Sequence, residues 1–336
     1  MSKQKTVFYF PYHSPQNRYL ELMQDAWQQL GFDVADVRDI WRLKSLGSYT
    51  GSVAVLNWLE ENIARKSQYA WYAWPLFLVK FYLLKVLGLS IICIRHNRLP
   101  VDNVPDKQMA IFNRVVRFLE ARADAVIVHS KSEAEQRGFF YVPHPVYPVQ
   151  ALESDKPSEP SFLCFGKLKH YKKVHELLEI WPPEAPLVLA GEVEQHSYEI
   201  QLREIIDRRQ LTVCCDFRRF SDDEIDRYLC SSTAALVPYI DQHCYVSGVL
   251  IHALSAGLPV ITRASAFAES LQQQGLPVVF YHDQVTLLQC LAKVQQLDLA
   301  QASINVTNGA PAIATALADM ITAIERPTTK ICLDDK

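Results

Sequence analysis

SGVLIHALSAGLPVIT, residues 247–262, reads as a helix that opens on Ser247 and Gly248, closes at Gly257 and passes directly into a strand, LPVIT. Small residues at a helix start leave the first backbone N–H groups pointing outward, where the helix dipole adds partial positive charge. Such a start suits a diphosphate. Gly257 accepts the left-handed conformation at the helix end, and Pro259 cannot continue the turn. A helix–turn–strand of this kind is common to all α/β proteins, so it specifies a fold class before it specifies a ligand.

A second segment, FLCFGKLKHYKKVHELLEIW (162–181), narrows the reading. It offers a strand, a glycine at the strand's carboxyl end, a basic loop and a helix. Gly166 permits a tight turn, and Lys167, Lys169, Lys172 and Lys173 bring four ammonium groups to the end of a buried strand. Ligands of open α/β sheets collect at the carboxyl ends of strands, so an anionic ligand is expected there. The plainer alternative is a solvated basic loop, the ordinary place for lysine.

Taken together, the two segments resemble the nucleotide-sugar half of a GT-B glycosyltransferase. The glycine–basic loop–tyrosine–lysine run appears as Gly166, Lys167, Tyr171 and Lys172, and the A-x-G-x-PVI ending as Ala256, Gly257, Pro259, Val260 and Ile261. Between them lies SDDEIDRYLCSSTAALVPY (221–239), whose helix is capped by Ser221 with Glu224 three residues on, and whose strand ends near Tyr239. The resemblance implies an α/β GT-B fold, two Rossmann-like domains with parallel sheets facing a central cleft. It places the donor diphosphate between Lys167, Lys172 and the helix start at Ser247 and Gly248. Gly166, Tyr239, His252 and Asn97 are expected to line the nucleotide and sugar pocket. No cofactor and no metal are implied: the nucleotide sugar is a substrate, and Asp222 and Asp223 read as helix caps.

Composition agrees with two soluble domains. The chain has 336 residues, 49% hydrophobic and 21% charged, more than one core usually serves. Strand and helix patterns alternate throughout, which argues for parallel sheets covered by helices. The polar, proline-containing stretch after Tyr147 reads as a linker. Expected units are therefore 1–150, 151–309, and a last helix from residue 310, within 310–336, that packs back across the junction. The eight cysteines lack paired or metal-type spacing, which suits reduced thiols in a cytoplasmic protein, and the apolar run after Met1–Lys5 is too short for a signal peptide.

Charge divides unevenly. Residues 1–150 hold 18 Lys and Arg against 13 Asp and Glu, net +5, while residues 151–336 hold 16 against 24, net −8. A basic first half suits a phosphate-bearing acceptor or an anionic membrane face. No feature points to nucleic acid. The apolar stretch 70–94 is broken by Pro75, Lys80, Lys85 and Gly88, so a spanning helix is not expected. Its helix, about 71–87, reads first as core and second as an interfacial helix, with Trp71, Tyr72 and Trp74 at one end.

Three loops of the first half offer candidate chemistry: His13, Asn17 and Arg18 after the first strand, His96 and Asn97 after the fourth, and His129 with Ser130 after the fifth. A lone histidine at a strand end is more often structural. The HN turn at His96, the Asn57–Glu60 step, ADAVIVHS and the PHP step at Pro143–Pro145 are similar to xanthan-type mannosyltransferases. That resemblance implies transfer of mannose from GDP-mannose to a polyprenyl-diphosphate-linked saccharide at the inner membrane face. One departure bears on mechanism: Cys244 and His252 stand where many retaining relatives carry two glutamates. An acceptor base is then sought in the first half, among His96, Glu60, His13 and Asp102. An epimerase of the same architecture, or a non-catalytic nucleotide-sugar-binding subunit, would share the diphosphate grip.

Overall fold

The computed structural model describes residues 5–14, 18–41, 49–66, 72–100, 104–149, 160–239, 246–297 and 302–325. Asn17, Trp71, Asp102, Cys244 and most of the expected linker lie outside the described residues. The chain divides into two compact units, residues 1–129, 133–143 and 310–336 in one, and 130–132 and 144–309 in the other.

The first unit is built on six parallel strands, β1 (Thr6–Phe10), β2 (Asp33–Asp36), β3 (Val53–Asn57), β4 (Ser90–Ile94), β5 (Ala125–Val128) and β6 (Phe140–Tyr141). Around them run α1 (Tyr19–Gln29), α2 (Leu59–Lys66), α3 (Ala73–Val86), α4 (Asp106–Arg122) and α5 (Lys131–Arg137). The sheet order is β2-β1-β3-β4-β5-β6. Every residue of β3 and of β5 is buried, as expected of strands covered on both faces, and apart from Asn57 at the end of β3 their sequences are apolar throughout.

The second unit repeats the plan with β7 (Phe162–Phe165), β8 (Leu187–Ala190), β9 (Val213–Asp216), β10 (Ala234–Val237), β11 (Val260–Thr262) and β12 (Val278–Phe280). Its helices are α6 (Val174–Ile180), α7 (His196–Arg209), α8 (Asp222–Cys230), α9 (Gly248–Ser255), α10 (Ala266–Gln273), α11 (Gln284–Val294) and α12 (Ala302–Asn308). Strand order is β12-β11-β10-β7-β8-β9, all parallel. In both sheets the order reverses beside the first strand of the unit, between β1 and β3 and between β7 and β10. These are the topological switch points, where the loops part and leave room for a ligand.

The final helix, α13 (Ala310–Glu325), belongs to the first unit. Ile313, Leu317 and Met320 share a core with Met23 and Trp27 of α1, and Lys5 Nζ lies 2.8 Å from Glu325 Oε1. Two elements depart from the pattern read in the sequence, the helix α2 and the two-residue β6. Among the described residues no helix is long and apolar enough to cross a membrane.

Candidate active site

In the second unit Gly166 and Tyr239, two of the residues expected at the donor site, follow the strands on either side of the β7–β10 switch point. Gly166, directly after β7, has φ +90°, and a Cβ there would sit 3.2 Å from Val249 of α9 and 3.7 Å from Lys172 Nζ. The chain next to it is held by a close backbone approach. At Gly191 a Cβ would lie 2.1 Å from the Gly166 carbonyl oxygen, so only glycine fits. Lys172 reaches over the ring of Tyr239, 5.6 Å from its centroid. Tyr171 meets the same ring edge-on at 6.0 Å.

Tyr239 in turn shares a 3.0 Å hydroxyl–hydroxyl hydrogen bond with Ser247. Ser247 caps α9, its Oγ accepting from the Leu250 N–H at 3.3 Å. Satisfying that donor leaves the N–H groups at the very start of the helix for an anion. Gly166, Lys172, Tyr239, Ser247 and Gly248 are thereby linked through one chain of contacts. Replacing Ser247 by Ala is expected to cost about 1 kcal/mol in urea unfolding, from the lost cap. Ser247→Thr should recover most of it.

The other lysines are partly engaged elsewhere. Lys169 Nζ is 2.7 Å from Glu194 Oε1 and Lys167 Nζ 3.6 Å from the same oxygen, while Lys173 pairs with Glu176 at 3.0 Å. Lys172 Nζ is the ammonium placed beside Gly166 and over the Tyr239 ring. Its ammonium also draws down the Cys164 thiol, but burial dominates and pushes that thiol up to about 12. Cys164 is a packing residue, not a nucleophile.

His252 lies one turn further along α9. Its Nε2 is 3.2 Å from Oδ1 of Asp226, a buried carboxylate on α8, and its ring lies against Tyr147 and Phe165, with centroids 4.8 and 5.8 Å away. A carboxylate partner fixes the imidazole by accepting from Nε2–H. Asp226 and Tyr147 were not singled out in the sequence. Nor was Arg263, which follows β11, contacts Glu176 at 3.3 Å and lies 5.6 Å from the Tyr281 ring centroid.

The first unit presents an aromatic and imidazole cluster at its strand ends. His96 stacks on Trp58 at 4.4 Å and 22°, meets Tyr19 edge-on at 4.7 Å, and holds Asn57 Oδ1 3.1 Å from Nε2. Trp58 has φ +47°, a strained turn that carries its ring across His96. His129 Nδ1–H donates to the Val142 carbonyl at 2.7 Å, so its Nε2 accepts from the Tyr19 hydroxyl, also at 2.7 Å. Burial holds His129 down to about 4, which keeps it neutral near pH 7. Ser130 is buried and shares a bond with Ser132 at 3.1 Å.

The remaining expected residues do not join this cluster. Asn97 donates to Glu61 at 2.6 Å. His13 is exposed and 3.7 Å from Glu21. Glu60 is only 1% exposed and faces Arg95, equally buried, at 3.7 Å, with neither carboxylate oxygen hydrogen-bonded among the described residues. Burial outweighs the Arg95 charge and raises this carboxyl to about 7. A base must reach an acceptor hydroxyl, and a carboxylate sealed against an arginine is poorly placed for it. Here Glu60 has the setting of a structural ion pair.

Residues 159–296 match the protein family Glycosyl transferases group 1. No curated protein sequence is significantly similar to the chain. Among solved structures, the UDP-forming α,α-trehalose-phosphate synthase of Burkholderia vietnamiensis superposes with a TM-score of 0.58 and 13% identity, over 93% of this chain and 77% of that one. S. aureus TarM, as the G117R mutant in complex with fondaparinux, alpha-GlcNAc-glycerol and UDP, gives 0.57 and 9%, over 85% and 58%. The pneumococcal O-GlcNAc transferase GtfA, in complex with UDP and GlcNAc, gives 0.54 and 14%, over 87% and 60%. The chain thus spans less than two thirds of TarM and GtfA, and at these identities the likeness is one of fold. The family match falls within the second unit, and the two six-stranded parallel sheets share the GT-B fold of these structures.

Proposed function

We propose that this chain transfers a hexose from a nucleoside diphosphate sugar to a lipid-linked saccharide, with mannose from GDP-mannose as donor and a polyprenyl-diphosphate-linked oligosaccharide as acceptor. The observation that carries the reading is the convergence of Lys172, Gly166, Tyr239 and the Ser247-capped start of α9 at a switch point. As the glycosidic bond to the donor breaks, negative charge accumulates on the leaving diphosphate. A lysine and backbone N–H groups already oriented toward it stabilise that charge without reorganisation. The acceptor hydroxyl must lose a proton, and His96, boxed at the strand ends of the first unit, is the base we assign to it. The reaction is placed at the inner membrane face, where the basic first half would meet an anionic surface.

Uridine donors compete with guanosine ones in this reading, because TarM and GtfA were solved with UDP. A thermal-shift screen with GDP, UDP, ADP and TDP sugars decides between them. A donor at a hundred times its dissociation constant should add about 2.7 kcal/mol of stability, with GDP-mannose giving the largest shift. A larger shift with a UDP sugar would reassign the donor and keep the reaction. No shift with any sugar nucleotide would remove the donor site. Product analysis with and without an acceptor separates transfer from epimerisation, since an epimerase converts the donor alone.

A further inference from the structure

A cavity of about 530 Å³ lies within the first unit, between the β1–β3 pair and α3. Its walls include Phe10 and Leu56 at the strand ends, Leu59 and Ile63 of α2, and Phe77 and Phe81 of α3. The volume is that of a small-molecule site, and the position is the switch point of this sheet. Neither the histidine cluster nor the phosphate grip uses it.

The charged lining has one sign. Arg38, Lys66 and Lys80 border the cavity, and no Asp or Glu does among the described residues. Arg38 is neutralised in part by Asp36 at 2.5 Å, which leaves the two lysines as the net charge. Lys80 Nζ stands 5.9 Å from the Trp41 ring centroid. An apolar chamber bordered by ammonium groups complements an amphiphile with a hydrocarbon body and an anionic head.

A second observation concerns the outer side of α3. Phe77, Phe81 and Leu84 face the core, yet Leu76, Val79, Leu83 and Val86 are exposed, Val79 by 63% and Val86 by 82%. Their spacing of three, four and three residues puts them on a single stripe of the helix. Leu76 belongs both to that stripe and to the cavity wall. An apolar stripe with lysines on the same helix is what an interfacial helix presents to a bilayer.

We infer that the cavity takes the hydrocarbon chain of a phosphate-bearing membrane lipid. Lys66 and Lys80 hold its head, and the α3 stripe rests on the bilayer that supplies it. The inference deepens the proposed lipid-linked acceptor and rests on it for the choice of lipid. Chain binding itself requires no glycosyl transfer.

The experiment measures binding of isopentenyl, geranyl and farnesyl diphosphate to the full chain by titration calorimetry, with inorganic diphosphate as competitor. Affinity should rise about tenfold with each added isoprene unit, as chain surface leaves water. Farnesyl diphosphate should bind at least about tenfold more weakly to Ala73→Trp, which fills the cavity, and to Lys80→Glu. Val79→Asp, on the stripe but off the wall, should keep farnesyl diphosphate affinity and lose sedimentation with phosphatidylglycerol vesicles. Lys172→Ala should leave farnesyl diphosphate binding intact. Affinity that does not grow with chain length, displacement by inorganic diphosphate that disappears in Lys172→Ala, or parent-like binding by a folded Ala73→Trp would overturn the inference. The chain-length series uses the parent protein, so it stands even where a variant fails to fold. Loss of this binding with donor shifts intact would sink the lipid site alone, and the reverse would sink the donor reading.

Discussion

Lys172→Ala is expected to lower kcat by about 10²-fold while raising the donor KM by less than about tenfold. The asymmetry follows from where charge appears. In the bound donor the diphosphate charge is partly spread into the ester bonds, and it grows as the sugar departs, so a cation aimed at that spot acts mainly on the transition state. Lys172 has the placement for it, over Tyr239 and beside Gly166. Lys167 serves as the internal comparison. Its side chain is 50% exposed and shares Glu194 with Lys169, so Lys167→Ala should cost less than about tenfold in either constant. Steady-state kinetics with the donor varied, on variants that melt near the parent, separates the two. Equal losses for both lysines, or a pure KM effect at Lys172, would remove this loop from the chemistry.

Much of this site was legible because its signals are local. A glycine after an apolar strand, a basic loop and a small-residue helix start are each read within twenty residues, and the parallel strands announce themselves as apolar runs because both faces are covered. The choice among four lysines was not legible. It depends on Glu194, which arrives from beyond β8 to engage Lys167 and Lys169, and on Tyr239 falling beneath Lys172; only the Lys173–Glu176 pair, three residues apart, is local. The Asp226 partner of His252 lies 26 residues away on another helix, and nothing in spacing announces it. The helix α2 escaped notice for a related reason. It has eight residues, and one of the few it buries is the charged Glu60, which sequence reasoning assigns to the surface or to catalysis. For α3 the sequence showed an apolar helix and could not say which faces were covered. Phe77 and Phe81 turn inward and Val79 and Val86 outward, so the core reading describes one side of the helix only.

Arg95→Ala should be the most destabilising of these substitutions, by about 3–5 kcal/mol at pH 8, because it leaves Glu60 buried without its counter-charge. Arg95 and Glu60 are each 1% exposed and 3.7 Å apart, and Glu120 lies 3.7 Å from the other side of the guanidinium. The loss should depend on pH with a definite sign. Burial already raises the Glu60 carboxyl from 4.5 to about 7, against the pull of Arg95. A carboxyl raised on folding costs nothing below its unfolded value and progressively more as pH climbs to its folded value. Removing Arg95 raises the folded value further, so the variant's extra loss must grow from pH 5 to pH 8. Urea unfolding of parent and variant at both pH values measures it. The double replacement Glu60→Met, Arg95→Met should cost much less than Arg95→Ala, since it removes both charges together. Arg95 Nη2 also donates to the Asn97 carbonyl at 2.8 Å, so the same substitution loosens the turn that carries His96 against Trp58, and the near-ultraviolet circular dichroism of that stack should weaken. A loss below about 1 kcal/mol, or one equal at both pH values, would mean that water reaches this pair and that Glu60 is available to the acceptor after all.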